Sequence, residues 1–172
     1  MYRIAIYGPP LAGKTTLLQA FAKKRGLDIR RFDPLAGSGT ATSDAPADQG
    51  LYVHDRAKAF SVATILGVYF HKESWPTLLA KADRVMLVLD PQPSRHEANR
   101  KCISALSALS QSRRSGCVVW TKNDLVNQQD IDHFSFEILA GNTVGSWPSF
   151  VTRYDDPNTL VEGLEFLIDL GI

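Results

Sequence analysis

Apolar and polar positions change rhythm repeatedly along this chain. Short runs rich in β-branched and aromatic residues alternate with stretches whose apolar residues recur every three to four positions, which predicts an α/β layer fold. Arg3 to Tyr7 reads as a short apolar strand. Lys14 to Lys24 reads as a helix with Leu17, Leu18 and Phe21 inward. Leu27 to Phe32 is a candidate short strand. Residues 34–49 are rich in Gly, Ala, Ser, Thr, Asp and Pro and read as a loop suited to mobility. Leu51 to His54 and Ala59 to Leu66 look like two strands joined tightly by Asp55-Arg56-Ala57-Lys58. Ser74 to Lys81 is a short helix that tolerates Pro76 in its first turn. Val85 to Leu89 is wholly apolar, as expected of a strand buried on both faces. Ser94 to Ser112 is the longest helix, with Ala98, Cys102, Leu106 and Leu109 on one side. Cys117 to Trp120 is a strand and Asp130 to Leu139 a helix. Phe150 and Val151 begin a last strand, and Pro157 to Leu170 is a closing helix. No internal repeat is visible. The expected architecture is a three-layer α/β/α fold. Its sheet is six-stranded and mostly parallel, with one antiparallel edge hairpin and about five helices on its two faces. Residues 1–172 are read as a single domain.

Composition changes this picture little. Hydrophobic content of 44% and charged content of 22% are ordinary for a globular protein, and the formal net charge of +1 gives no sign of a nucleic-acid or anionic-membrane surface. The basic clusters Lys23-Lys24-Arg25 and Arg30-Arg31 read as a solvated helix end and loop. Cys102 and Cys117 lie in apolar segments and form no Cys-x-x-Cys pair, which fits a reducing compartment rather than a zinc or disulfide framework. No secretory leader, membrane-length apolar run, myristoylation site or prenylation site is read. A cytoplasmic location without a direct membrane anchor is expected.

Two motifs carry chemistry. Gly8-Pro9-Pro10-Leu11-Ala12-Gly13-Lys14-Thr15 matches Gly-x-x-x-x-Gly-Lys-[Ser/Thr] between a predicted strand and a predicted helix, the context that gives this pattern its meaning. Backbone N–H groups and the helix N-terminus would face phosphates, the two glycines would permit close approach, and Lys14 would supply a charge to the outer phosphates. Thr15 is placed to coordinate Mg²⁺. Pro9, Leu11, Ala12 and Thr16 complete the candidate cradle. Pro10 offers no N–H near the outermost phosphate, which would spare binding but disturb an attacking water or a partner's arginine.

The second motif, Thr121-Lys122-Asn123-Asp124, follows a predicted buried strand and matches [Asn/Thr]-Lys-x-Asp. A carboxylate can accept the ring N–H and the exocyclic amine of guanine together, a pair adenine lacks. Asp124 is the candidate specificity residue, Lys122 would lay its stem over the base, and Leu125 adjoins them. A last loop, Thr152-Arg153-Tyr154, stands where a backbone N–H would meet the guanine carbonyl. Its Arg153 departs from the alanine usual there.

Two segments give the chain a resemblance. Ile6 to Thr16, and Val88-Leu89-Asp90-Pro91-Gln92-Pro93-Ser94-Arg95-His96-Glu97-Ala98-Asn99, resemble the MglA-type bacterial GTPases, the Ras-like polarity switches of gliding motility. The similarity runs in order through nearly the whole chain, loosely over residues 34–50 and 126–146. Where most Ras-like proteins carry Asp-x-x-Gly, this chain has Thr64-Ile65-Leu66-Gly67, and the MglA type also has Thr in the Asp place. The resemblance implies that Gly67 senses the γ-phosphate, that Thr64 could hold a Mg²⁺-bound water, and that a switch threonine comes from residues 35–48, Thr42 ahead of Thr40. Lys14, Thr42 and Gly67 are thus the candidate catalytic residues, and Thr15 and Thr42 the candidate metal ligands. Val68 stands where a water-orienting Gln is usual and can orient no water. His71 and Glu73 are polar neighbours, and Arg31 and Arg56 are the nearest candidates for an arginine in cis. Asp90 either braces the P-loop, caps the following helix, or ends a Walker B strand as a metal-water ligand.

These readings imply a Ras-like GTP/GDP switch with Mg²⁺ and slow intrinsic hydrolysis. A roadblock/LC7-fold (MglB-like) regulator and unknown effectors would be its partners, with a role in polarity or motility-type processes. The alternatives are a pseudo-GTPase binding module without turnover and a P-loop kinase with Asp90 as Walker B.

Overall fold

The central strand sets the frame. β1 (Tyr2–Tyr7) alternates Ile4 and Ile6 with Ala5 and Tyr7, and all four are buried, so both of its faces are covered. In this computed structural model, which describes residues 2–33, 50–66, 74–109, 115–139 and 142–170, β1 pairs in parallel with β4 (Phe60–Ile65) and with β5 (Arg84–Leu89). β5 pairs in parallel with β6 (Ser115–Trp120), and β6 with β7 (Ser149–Val151). Beyond β4 the direction changes. β3 (Gly50–Asp55) runs antiparallel to β4 and also to β2 (Arg30–Phe32). Among the described residues the order is β2-β3-β4-β1-β5-β6-β7, a mixed sheet of seven strands.

This corrects the six-stranded expectation with its simple edge hairpin. The additional strand is the segment that sequence left as a candidate. β2 has three residues, and Arg30 and Arg31 are exposed, so it carries no buried alternation to announce it. β3 is the reversed strand, and it lies inside the sheet rather than at its edge.

Among the described residues, five α-helices complete the layers. α1 (Lys14–Arg25) and α5 (Thr159–Asp169) cover one face, packing Leu17, Phe21, Leu164 and Leu167 against Ile4, Ile6, Val62, Met86, Val88 and Val119. α2 (Ser74–Lys81), α3 (His96–Leu109) and α4 (Gln128–Leu139) cover the other. There Trp75, Leu79, Ile103, Leu106 and Phe134 meet Ala5, Tyr7, Leu87 and Trp120. α1 ends at Gly26 in the left-handed conformation, and Leu27 N–H reaches back to Ala22 O at 2.9 Å, a glycine-capped stop. α3 differs from expectation in phase and start. A 3-10 turn over Pro93–Arg95 precedes it, and its buried face is Asn99, Cys102, Ile103 and Leu106. Ala98 is half-buried, and Leu109 is 38% exposed. Asn99 turns the helix, because its amide is drawn inward by the backbone of Asp90. Among the described residues no helix is long and apolar enough to cross a membrane.

α5 sits close on the sheet because Gly163 has no side chain. A methyl group there would stand 2.7 Å from Val119 Cγ2 and 3.4 Å from both Cys117 Sγ and Met86 Sδ. Gly163→Val is therefore expected to destabilise the fold by about 1–3 kcal/mol despite valine's better helix propensity. A urea midpoint equal to the wild type would refute this packing.

Candidate functional site

The chain order places the site. After β1 the chain passes to the far edge at β2 and returns inward through β3 and β4 to the side of β1, then crosses β1 to continue outward through β5, β6 and β7. The carboxyl end of β1 lies at this reversal, where open α/β sheets form a crevice. Residues 8–13 turn there into α1. Gly8, at φ 152, passes beneath the Val88 carbonyl, and a methyl on it would stand 2.0 Å from that oxygen. Gly13 caps α1 at φ 89. Leu11 at the crown of the loop holds φ 64 and is exposed, a conformation that costs a side-chain-bearing residue energy. The first helical bond is donated by Leu17 N–H to Gly13 O at 3.0 Å, so the N–H groups of Lys14, Thr15 and Thr16 have no partner within the helix. The first turn contains no acidic residue to occupy its positive end.

Lys14 is 4% exposed. Its ammonium donates to Gly8 O at 2.9 Å and Pro9 O at 2.7 Å, which leaves one of three N–H donors for an anion. The Trp75 ring lies 5.5 Å from it. Burial lowers its pKa to about 8. Pro9 O also accepts Ala12 N–H at 3.3 Å, which closes the loop on itself.

A second segment meets this loop from β6. Thr121 is buried, and its hydroxyl lies 2.9 Å from Ala12 O and 3.1 Å from Leu89 O. It stitches the loop after β1 to the ends of β5 and β6. Lys122 follows in the left-handed conformation, φ 57, and a 3-10 turn over Asn123–Leu125 carries Asp124 to the surface. Thr152 is buried at the end of β7, and both its N–H and its hydroxyl bond Trp120 O, at 2.8 and 3.2 Å. One small cavity of about 140 Å³ joins these pieces. Gly13, Thr16 and Leu17 form one wall, Thr121, Lys122 and Asp124 another, and Thr152, Tyr154 and Leu160 the rest. It is a small slot beside the loop that leads from β1 into α1.

Several readings from sequence change here. Arg153 does not line the cavity. Its N–H is donated to Thr159 Oγ1 at 2.9 Å, its guanidinium binds Asp155, and the loop residue beside Thr152 in the cavity wall is Tyr154. Leu125 is 59% exposed and also stands outside the wall. Thr64 is fully buried, and its hydroxyl donates to Ile6 O at 3.0 Å, so its proton serves the β1–β4 pairing. Asp90 is 1% exposed and binds Lys122 Nζ at 2.6 Å, so it braces the second segment rather than the P-loop. Arg56 lies in the turn between β3 and β4, at the end of the sheet where Phe60 pairs with Tyr2, opposite the loop. Arg31 is on edge strand β2, separated from β1 by two strands. Thr40, Thr42, Gly67, Val68, His71 and Glu73 lie outside the described residues. Trp75 beside Lys14 and Leu160 in the cavity wall were missed, and Tyr154 was named only as the third residue of the last loop. Nothing local marks an apolar residue near a site as distinct from a packed one.

No family model and no curated protein sequence matches the chain. Among solved structures, the apo form of translation elongation factor SelB from Methanococcus maripaludis is similar to it, with a TM-score of 0.56 and 14% identity. The match covers 98% of this chain but only 32% of that one, so this chain spans about a third of its length. At that identity the likeness is one of fold, the layered α/β architecture described above.

The lowered pKa of Lys14 gives the cradle a pH signature. The unliganded ammonium loses its charge as pH rises through about 8, whereas a bound polyphosphate stabilises the charged form and raises the pKa again. Binding is therefore expected to take up a proton above pH 8 and to weaken there by up to about tenfold per pH unit. Calorimetry at pH 8.5 in buffers of different ionisation heat checks this, and heats independent of the buffer would contradict it.

Proposed function

We propose that this chain binds GTP and GDP and works as a nucleotide-controlled switch with slow hydrolysis. The observation that carries the reading is the single cavity in which Gly13 and Thr16 of the phosphate loop face Thr121, Lys122 and Asp124. Phosphates would lie against the unbonded N–H groups at the start of α1 and take the remaining donor of Lys14. The base would enter the slot, where Asp124 accepts the paired donors of guanine and the Lys122 stem covers a ring face. Adenine presents no such pair to a carboxylate.

Mg²⁺ fits this site through few protein ligands. Among the described residues no cluster of His, Cys, Asp and Glu could hold a metal ion. The Thr15 hydroxyl in the first turn of α1 is the ligand available there, with Thr42 as the candidate from residues 35–48, and phosphate oxygens and waters would complete the sphere. When bound, the ion neutralises charge on the outer phosphates.

The hydrolytic machinery is thin. Val68 cannot orient a water, Pro10 brings no N–H to the outer phosphate, and Thr64 spends its proton on Ile6 O. These residues favour slow turnover or turnover completed by a partner, with Gly67 as γ-phosphate sensor. The same residues motivate the second reading, a binding module that holds GTP or GDP without turnover. The kinase reading loses its main support, because both Asp90 oxygens are engaged by Lys122 and Gln92. The resemblance of residues 6–16 and 88–99 to the MglA type further suggests a cytoplasmic polarity or motility switch served by a roadblock/LC7-fold regulator.

Purified protein is expected to bind GDP at least about 100-fold more tightly than ADP, and Asp124→Ala to remove most of that preference, through the loss of two charge-assisted hydrogen bonds. Equal affinity for GDP and ADP, or a variant that discriminates as well as the wild type, would overturn the base assignment. Single-turnover GTP hydrolysis, alone and with a roadblock protein, then separates switch from module.

A further inference from the structure

We infer that Asp90 is a positioning residue for the base pocket: it fixes the Lys122 ammonium, so that the lysine stem stands as a wall of the slot. The inference rests on the guanine-nucleotide reading above. Asp90 follows the last residue of β5 and is 1% exposed. Its Oδ2 meets Lys122 Nζ at 2.6 Å, a charge-assisted bond. Its Oδ1 accepts the N–H of Gln92 at 3.1 Å and Gln92 Nε2 at 3.0 Å. Asn99 of α3 clasps its backbone on both sides, donating Nδ2–H to Asp90 O at 2.7 Å and accepting Asp90 N–H at 3.4 Å. The carboxylate is thus oriented before Lys122 reaches it.

Lys122 is the opposite kind of residue. Its side chain is long, 31% exposed, and mounted on a left-handed backbone. A free lysine stem samples many rotamers, and ordering it opposes binding. A buried counter-charge at its tip selects one arrangement in advance, so the ordering is complete before a base arrives. Arg95 Nε stands 3.9 Å from the same Oδ2, so the carboxylate keeps a cationic neighbour if Lys122 loses its ammonium. That makes Lys122→Met a usable background.

The test is a double-mutant cycle read by GDP affinity. Asp90→Asn keeps the shape, the Oδ1 contacts to Gln92 and the backbone clasp, but puts a neutral amide in place of the charged oxygen that faces Lys122 and also accepts Gln92 Nε2 at 3.2 Å. It is expected to weaken GDP binding about tenfold in the wild-type background and less than about twofold in Lys122→Met, which retains an unbranched stem. Inorganic pyrophosphate, which has no base, should bind wild type and Asp90→Asn within about twofold of each other. Equal losses in both backgrounds, or an equal loss for pyrophosphate, overturn the assignment, because general loosening of β5 would produce them. GDP affinity unmoved by Asp90→Asn also overturns it. Should Asp90→Asn fail to fold, Asp90→Glu, which shifts the carboxylate by one methylene, has to show the same dependence on Lys122. GDP binding indifferent to Asp124→Ala strikes down the guanine reading together with this one, whereas binding that needs Asp124 and ignores Asp90 strikes down this one alone.

Discussion

A cation buried beneath a loop, held by carbonyl oxygens rather than by a carboxylate, governs this end of the molecule. Removing an ammonium group from water is costly unless it is well surrounded. Lys14 meets that demand with Gly8 O, Pro9 O and the face of Trp75. Each partner needs a particular backbone or helix in place. Gly8 must pass under Val88 O, Pro9 must turn its carbonyl inward, and α2 must bring Trp75 against Tyr7, whose rings meet edge to face at 4.8 Å. None of these partners carries a full negative charge. The loop is therefore stable enough to form and still electrostatically incomplete, the condition that suits a reversible anion site.

The two halves of the site are joined by short side chains. Thr121 links Ala12 O to Leu89 O, and Thr152 links β7 to Trp120 O. Both are buried, so their bonds are shielded from water and fix the distance between cradle and slot. The long residues, Lys122 and Arg153, reach outward and need acidic partners to be ordered. Asp90 and Asp155 supply them, one buried and the other exposed.

Much of the fold was legible because buried parallel strands must be apolar on both faces, and β1, β5 and β6 are. β2 was only a candidate because an exposed three-residue edge strand is specified by its backbone pairing to β3, not by its side chains. The phase of α3 was misread for a related reason. Apolar spacing favoured Ala98 and Leu109, while Asn99, a polar residue, is the one drawn in by the Asp90 backbone. In the loop after β1, the positive φ of Gly8 and Gly13 was legible because few residue types meet that geometry. The part played by Asp90 was not, since its partner lies far along the chain and the pairing exists only once β5 and β6 lie side by side. Arg153 misled because a position in a loop does not reveal which N–H groups are already bonded.

Pro10 has so far counted as a missing donor, and Pro9 is a second. They also remove torsional freedom. With φ fixed at two successive positions, the unfolded chain has fewer conformations to surrender when the loop forms. Pro9 O is at the same time bonded from both Ala12 and Lys14. The loop thus keeps its shape at low entropic cost, whether or not an anion lies against it.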